Sequence, residues 1–445
     1  MIQGTPATLV VDIDRGLLRT DLSREVLWAA LGRDMRATLT AMRGALGMRQ
    51  AALAAIAQPR VDLLPICPEV LTQVQAWPGD VLLFSSADHA VVHAMARHLA
   101  LPGVHLGVLP ITRADRHAVE AAALDLCADA PFQLITGPET GAELRQSAQT
   151  RLDTACTWSR VSLLRELRPH QWVKNLLLLL PLIAAQMLFT PAVLPVLGAM
   201  VAFALGASAI YIVNDLLDLD ADRQHPSKRH RPLASGDLPI GVATWASAGL
   251  GLAALGTAWA VAPVIAALVV LYMVTSLVYS LVLKSLRWVD LAALVALYCL
   301  RVATGAVAGG VAVSPWLAGF AAAVFLALAV TKRLTGLARA NHGGRLLGRG
   351  YDTHHTRALY LIGLSAVVLA VACFGIYSHA DEIAALYTRP WALRLAALPA
   401  GFWLVRMVRL AVSGREDFDP LVFVARDLVG LGIAGLGIAT YLLAL

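Results

Sequence analysis

From about residue 172 onward the chain is a succession of apolar stretches, each roughly 17–22 residues long, the length of helix that crosses a hydrocarbon core. They lie near 172–189, 193–214, 240–259, 262–283, 288–309, 314–332, 356–377, 391–410 and 427–444. Apolar runs of this length, repeated this often, predict a multi-pass all-α membrane bundle of about nine transmembrane helices. Composition agrees, with 58% hydrophobic and only 15% charged residues and a mean hydropathy of +0.67. Residues 1–155 read instead as a mixed soluble α/β domain, and 165–445 as the membrane domain.

The apolar run near the N-terminus, T-L-V-V-D-I-D at 8–14, has no basic segment before it and ends in acids. It predicts a buried strand rather than a signal peptide, which places the N-terminal domain in the cytoplasm. The five cysteines, Cys67, Cys127, Cys156, Cys299 and Cys373, have no metal-like spacing and read as small buried residues. The net charge of +6 does not form a continuous basic stripe, which argues against nucleic acid. The cations cluster in the loops after the second, fourth, sixth and eighth apolar stretches, while the intervening loops hold little beyond Arg389 and Arg394. By the positive-inside rule the basic loops face the cytoplasm, in a bacterial-type inner membrane, on the same side as the N-terminal domain. A homo-oligomer is compatible with this arrangement.

The most chemical segment follows the second stretch: N-D-L-L-D-L-D-A-D-R-Q-H-P-S-K-R-H-R-P, 214–232. On a continuing helix Asn214, Asp218 and Asp222 are four apart and share a face, with Asp215 adjacent. Stacked carboxylates repel, and a divalent cation removes that penalty. Mg²⁺ prefers oxygen ligands and commonly bridges carboxylates to substrate phosphates. Arg223, Lys228, Arg229 and Arg231 follow within nine residues and can clamp phosphate oxygens. Carboxylates for a metal beside fixed cations predict a diphosphate site. The plainer alternative, a charged loop resting on anionic lipid, explains the basic residues but not the periodic acids.

A second cluster, Tyr279, Lys284 and Asp290, joins the fourth and fifth stretches. Lys284 can hold a phosphate and Asp290 can ligate metal; the alternative is a lysine snorkelling beside interfacial Trp288. Arg301 lies deep in the fifth stretch, where a lone lipid-facing guanidinium is costly, so it should face the interior toward a substrate anion or a buried acid. His225 and His230 read as hydrogen-bond donors, not as a catalytic base.

These residues resemble the UbiA-type polyprenyl transferase superfamily, marked by N-D-x-x-D-x-x-x-D from Asn214 to Asp222. The resemblance narrows to the decaprenyl-phosphate phosphoribosyltransferase branch on R-P-H-Q-W-V-K-N at 168–175, D-R-x-H-P-x-K-R-x-R-P at 222–232, L-K at 283–284 with Asp290, L-R-V-A-T-G-A-V-A-G-G at 300–310, Lys332-Arg333 and the tail from Arg406 to Asp427. It implies Mg²⁺-dependent transfer of a 5-phosphoribosyl group from phosphoribosyl diphosphate to a membrane-embedded polyprenyl phosphate. Asp215, Asp218 and Asp222 would serve Mg²⁺ and diphosphate. Lys174, Arg223, Lys228, Arg229, Arg231, Lys284 and Arg301 would hold anionic oxygens, with Asn175, Asn214, Tyr279, Lys332 and Arg333 in the same motifs. Aromatic prenyltransferases carry a second acid pair after the fourth span; here Lys284 and the single Asp290 stand there, which suits a more phosphorylated substrate set. The alternative is prenyl transfer from a prenyl diphosphate to a non-phosphorylated acceptor.

The N-terminal domain resembles the haloacid-dehalogenase-like phosphatases. Asp12 and Asp14 match the nucleophile and acid positions and Ser85 the phosphate-holding motif. The metal-holding acids expected after the last strand are replaced by Gly137-Pro138-Glu139-Thr140-Gly141, and the expected lysine by Arg113 or Arg116. The resemblance therefore implies a catalytically degenerate domain with a regulatory, docking or stabilising role.

The charge pattern sets a topology test on a background free of native cysteines. A cysteine placed at Ser235 should resist an impermeant thiol reagent added outside intact cells, and one placed within 379–389 should react. Labelling of the Ser235 position from outside contradicts the orientation.

Overall fold

The computed structural model describes residues 7–44, 46–101, 103–108, 116–127, 130–137, 140–153, 158–339, 346, 349–381, 386–414 and 427–445. Two compact units emerge from the packing: Met1–Leu167 together with Tyr211–Ala248, and Arg168–Ile210 together with Gly249–Leu445. The acid-rich segment thus groups with the N-terminal region.

In the first unit, five parallel strands, β1 (Thr8–Asp12), β2 (Val81–Asp88), β3 (Val104–Val108), β4 (Phe132–Thr136) and β5 (Thr150–Asp153), form one sheet in the order β3-β2-β1-β4-β5. Alternation along the strands supplies two cores. Leu9, Val11 and Leu83 pack on one face with Leu22, Val26 and Met95, whereas Val10, Leu82, Phe84 and Leu134 pack on the other with Val119 and Ala123. Helices cover both faces, as a wholly parallel sheet requires. The carboxyl ends of β1 and β2 bring Asp12, Asp14 and Ser85 together.

Among the described residues, seven helices are long and apolar enough to cross a membrane: Val193–Leu217, Ile240–Val261, Pro263–Leu281, Val289–Gly309, Pro315–Ala338, Thr353–His379 and Pro390–Val412. Leu428–Ala444 is a shorter apolar helix of 17 residues. The protein is therefore a multi-pass membrane protein. The remaining expected stretch, 172–189, is not one α-helix: a tight 3₁₀ segment, Pro169–Leu179, is followed by the short helix Leu180–Ala184. Pro181 lacks the N–H that would continue an α-helical ladder, and Gln186 turns out of the helix with φ 57° to donate to the Leu386 carbonyl at 2.7 Å.

Local signals explain the ends. Pro263, Pro315 and Pro390 open their helices, where a missing N–H is harmless. Gly310, at φ 66°, closes Val289–Gly309. Within that helix Gly305 is pressed against the backbone of the 3₁₀ segment, since a Cβ there would lie 1.9 Å from the Leu178 carbonyl oxygen. Gly256, in Ile240–Val261, has open space around it.

Gly305→Ala should thus force the 3₁₀ segment away and lower the detergent melting temperature, at a cost of about 1–3 kcal/mol or more. Gly256→Ala should be neutral or stabilise by about 0.5–1 kcal/mol. Equal melting temperatures for the two variants contradict this packing.

Candidate functional site

The helix Val193–Leu217 bends at Asp218 (φ −104°, ψ 16°) before Leu219–Gln224 resumes. Backbone bonds continue across the bend, Asp218 N to Asn214 O at 3.0 Å and Asp222 N to Asp218 O at 2.8 Å. The three acids nevertheless differ in their surroundings. Asp215 and Asp222 are buried, and both accept from Arg231 Nη1, at 3.1 and 2.5 Å. Lys228 Nζ lies 3.2 Å from Asp222 Oδ1. Asp218 and Asp220 instead line a cavity of about 380 Å³ whose walls include Glu25, Arg33 and Gln58.

Arg223 is placed differently from the expected phosphate clamp. Its guanidinium meets Glu25 through both terminal nitrogens, at 2.6 and 3.1 Å, and its Nε donates to the Ala234 carbonyl at 3.1 Å. Burial pushes the Asp220 carboxyl above its usual range, against the opposing pull of Arg223. Arg229 and His230 are exposed. His225 Nδ1 accepts from the Ser227 and Lys228 backbone amides at 3.3 and 3.4 Å, and burial followed by the Lys228 charge holds the imidazole below its ordinary value. This ring nitrogen thus accepts where a hydrogen-bond donor was expected.

Among the described residues no group of three or more His, Cys, Asp or Glu is arranged to hold a metal. The oxygen donors nonetheless fit Mg²⁺. Asp215 and Asp222 each put an oxygen within 3.1 Å of one point, the Arg231 nitrogen, and Asn214 Oδ1 is buried with no hydrogen bond to it among the described residues. Mg²⁺ needs only one or two carboxylates when water and substrate phosphate complete its octahedron.

In the second unit, Arg301 is buried, as its depth in the sequence implied. It donates to Tyr272 Oη at 2.9 Å, the Leu297 carbonyl at 2.9 Å and Asn175 Oδ1 at 3.3 Å. Its guanidinium carbon sits 4.6 Å from the Tyr272 ring centroid and within 6 Å of those of Phe203 and Tyr298. Aromatic faces and neutral oxygens thus surround this cation, in place of the buried acid that was one expectation. Asn175 Nδ2 is buried without a hydrogen-bond partner among the described residues, and Lys174 beside it in sequence is buried. Sequence reading did not single out Tyr272, Phe203 or Tyr298; aromatic residues in apolar stretches carry no signal until a cation is placed among them.

Asp290 is fully buried and bound by Arg333 through two nitrogens, by Arg349 Nη1 at 3.0 Å and by Tyr279 Oη at 3.0 Å. Tyr279 Oη also receives Arg333 Nη2 and Arg349 Nη1, each at 3.0 Å. Asp290, expected as a metal ligand, and Arg333, expected on substrate, are here partners of one another. The sequence marked Arg349 only as a basic loop residue. Lys284 sits half-buried in the short turn Leu283–Ser285, and Lys332 is half-buried beside Arg333.

At the sheet, Asp12 is fully buried, with Oδ1 taking the Asp14 amide at 3.0 Å and Oδ2 the Thr140 hydroxyl at 2.5 Å. Asp14 accepts from Leu22 N, Ser85 Oγ, Ser86 N and Ser86 Oγ at 2.9–3.0 Å. A nucleophile sealed from solvent and an acid with its lone pairs occupied do not form an open phosphatase site. Arg113, Pro138 and Glu139 lie outside the described residues, as does the side chain of Arg116.

Fold and site define a class: a multi-pass α-helical membrane protein with an Asn-Asp-rich segment directly after its Val193–Leu217 helix. The chain belongs to the UbiA prenyltransferase family, whose model matches residues 176–425, and is thereby a UbiA-type transferase. It is 33% identical over 313 residues to the uncharacterized protein y4nM of Sinorhizobium fredii, a match covering 69% of this chain and 59% of that protein. It is 31% identical over 270 residues to the decaprenyl-phosphate phosphoribosyltransferase of Mycobacterium tuberculosis, covering 60% of this chain and 88% of that enzyme. Among solved structures, a UbiA homolog from Archaeoglobus fulgidus bound to DMAPP and Mg²⁺ aligns with a TM-score of 0.47 at 16% identity, covering 62% of this chain and 98% of that one.

Proposed function

We propose that this protein transfers a 5-phosphoribosyl group from phosphoribosyl diphosphate to the phosphate of a polyprenyl phosphate, releasing pyrophosphate, on the cytoplasmic side of the inner membrane. The observation that carries the reading is the meeting of Asp215 and Asp222 with Arg231 and Lys228. Acids and cations at such spacing suit a metal-bound diphosphate. The similarity to the mycobacterial phosphoribosyltransferase suggests which donor and acceptor to test.

Asp215, Asp222 and Asn214 would hold Mg²⁺, with Asp218 completing the acid set when donor binds; the ion would neutralise charge on the leaving pyrophosphate. Lys228 and Arg231, now paired to the acids, would turn to the diphosphate oxygens as the metal takes over the carboxylates. Arg229 adds an exposed cation to the same segment. A 5-phosphate and an acceptor phosphate call for further positive charge, for which Lys174, Lys284, Arg301 and Lys332 are the candidates. Arg223 fastens the segment through Glu25, while Asp290, Arg333 and Tyr279 form a frame around Arg349.

The bond between ribose C1 and the diphosphate oxygen breaks with its electron pair leaving on pyrophosphate. An oxygen of the polyprenyl phosphate forms the new bond at C1 from the opposite face. That oxygen is already ionised near neutral pH, so no general base is required, in keeping with the role of His225. A prenyl donor would instead need an apolar pocket around its developing cation, where extra lysines and arginines raise the barrier.

Purified protein given labelled phosphoribosyl diphosphate and a polyprenyl phosphate should form a lipid-linked product. Lys284→Ala should lower kcat/KM by about 10–1000-fold, the loss of a charged contact of about 1.5–4 kcal/mol. Pyrophosphate release from a prenyl diphosphate with a neutral acceptor, and no ribosyl transfer, would replace this reading with prenyl transfer.

A further inference from the structure

The acid-rich segment is fastened to the Leu22–Arg33 helix of the N-terminal domain, within one compact unit. The main fastening is the Glu25–Arg223 pair, whose side chains are 2% and 4% exposed. Because Arg223 Nε also holds the Ala234 carbonyl, one guanidinium ties Leu219–Gln224, the short helix Pro232–Ser235 and the N-terminal helix to a single point. Removing one member of a buried ion pair leaves the other uncompensated, which makes such a tie hard to release. Trp28 Nε1 adds a bond to Thr244 Oγ1 at 3.3 Å. At Gly32 the absence of a side chain lets the Leu217 carbonyl approach, since a Cβ there would sit 3.3 Å from that oxygen.

The Leu22–Arg33 helix is in turn anchored by the strand-end acids. Leu22 N donates to Asp14 Oδ1 at 2.9 Å, while Ser85 and Ser86 hold the same carboxylate to β2. Thr20 Oγ1 donates to Glu25 Oε1 at 2.7 Å and sets its rotamer. A chain of contacts therefore runs from the sheet through Asp14 and Leu22 to Glu25, and from Glu25 through Arg223 to the segment that bears Asp215 and Asp222.

We infer that the N-terminal domain is a clamp that positions the acid-rich segment, with Glu25 as its positioning residue and Asp14 as the anchor behind it. An acid at a phosphatase-like strand end then serves a neighbouring reaction by geometry and not by chemistry. The effect on transfer rests on the proposed function; the clamp itself does not.

The test uses full-length protein in nanodiscs and three variants: Glu25→Gln, the double variant Glu25→Gln/Arg223→Gln, and Asp12→Asn. The double variant removes both buried charges, so it separates loss of the clamp from the penalty of an unpaired arginine. Trypsin cleavage after Lys228 and Arg229 is followed alongside KM for phosphoribosyl diphosphate and kcat. Glu25→Gln and the double variant should speed cleavage at least fivefold and raise KM about tenfold with a smaller change in kcat. Asp12→Asn should leave both readouts within about twofold. Wild-type cleavage and KM in Glu25→Gln, or their restoration in the double variant, would overturn the clamp. If the wild type transfers nothing from this donor, the functional reading fails, and the cleavage rates alone still decide the clamp.

Discussion

Two buried carboxylates that share one guanidinium nitrogen set the terms for the rest of this molecule. Asp215 and Asp222 repel each other, and neither can stay ionised in a buried position without a cation. Arg231 and Lys228 supply that cation from the same segment, nine and six residues beyond Asp222. The chain must therefore double back through the turn at Pro226 and Pro232. In the proposed reaction Asp215 and Asp222 would hold the divalent ion, and Arg231 and Lys228 would be the cations nearest the phosphate oxygens.

The same electrostatic constraint is met differently inside the bundle. Asp290 is matched by two arginines and a tyrosine, an arrangement in which Asp290 Oδ1 and Tyr279 Oη each have several partners. Arg301 is held by neutral oxygens and aromatic rings. An ionised group in an apolar interior needs hydrogen bonds to stay charged, and a guanidinium can obtain them from carbonyl, amide and phenol alike. Among the described buried groups of the second unit, Lys174, Arg301 and Arg333 outnumber Asp290.

Much of this architecture was legible in the sequence. Long apolar runs gave seven helices almost at their ends, because proline and glycine punctuate them at Pro263, Pro315, Pro390 and Gly310. The short apolar run T-L-V-V-D gave a buried strand with acids at its carboxyl end. The run at 172–189 was misread as a continuous helix, since hydropathy registers length but not the lost hydrogen bond at Pro181. For the site, residue type was legible and pairing was not. Asn214, Asp218 and Asp222 at four-residue spacing predict a common face, but the spacing does not say which cations each acid meets, and a bend at Asp218 lies between them. Arg223 reads as one more cation in a basic run until Glu25, 198 positions earlier, is seen to hold it. Asp290 likewise reads as a free ligand until Arg333 and Arg349 converge on it.

The central claim is that Asp215 and Asp222 form a diphosphate site that depends on a divalent cation. Equilibrium binding of labelled pyrophosphate to the full-length protein in nanodiscs, titrated with Mg²⁺ and compared with Asp222→Asn, tests it most directly. The account predicts saturable binding that requires Mg²⁺, is lost in chelator and weakens at least about tenfold in the variant, the loss of one charged contact. Equal binding in chelator, or binding that Asp222→Asn leaves unchanged, would contradict it.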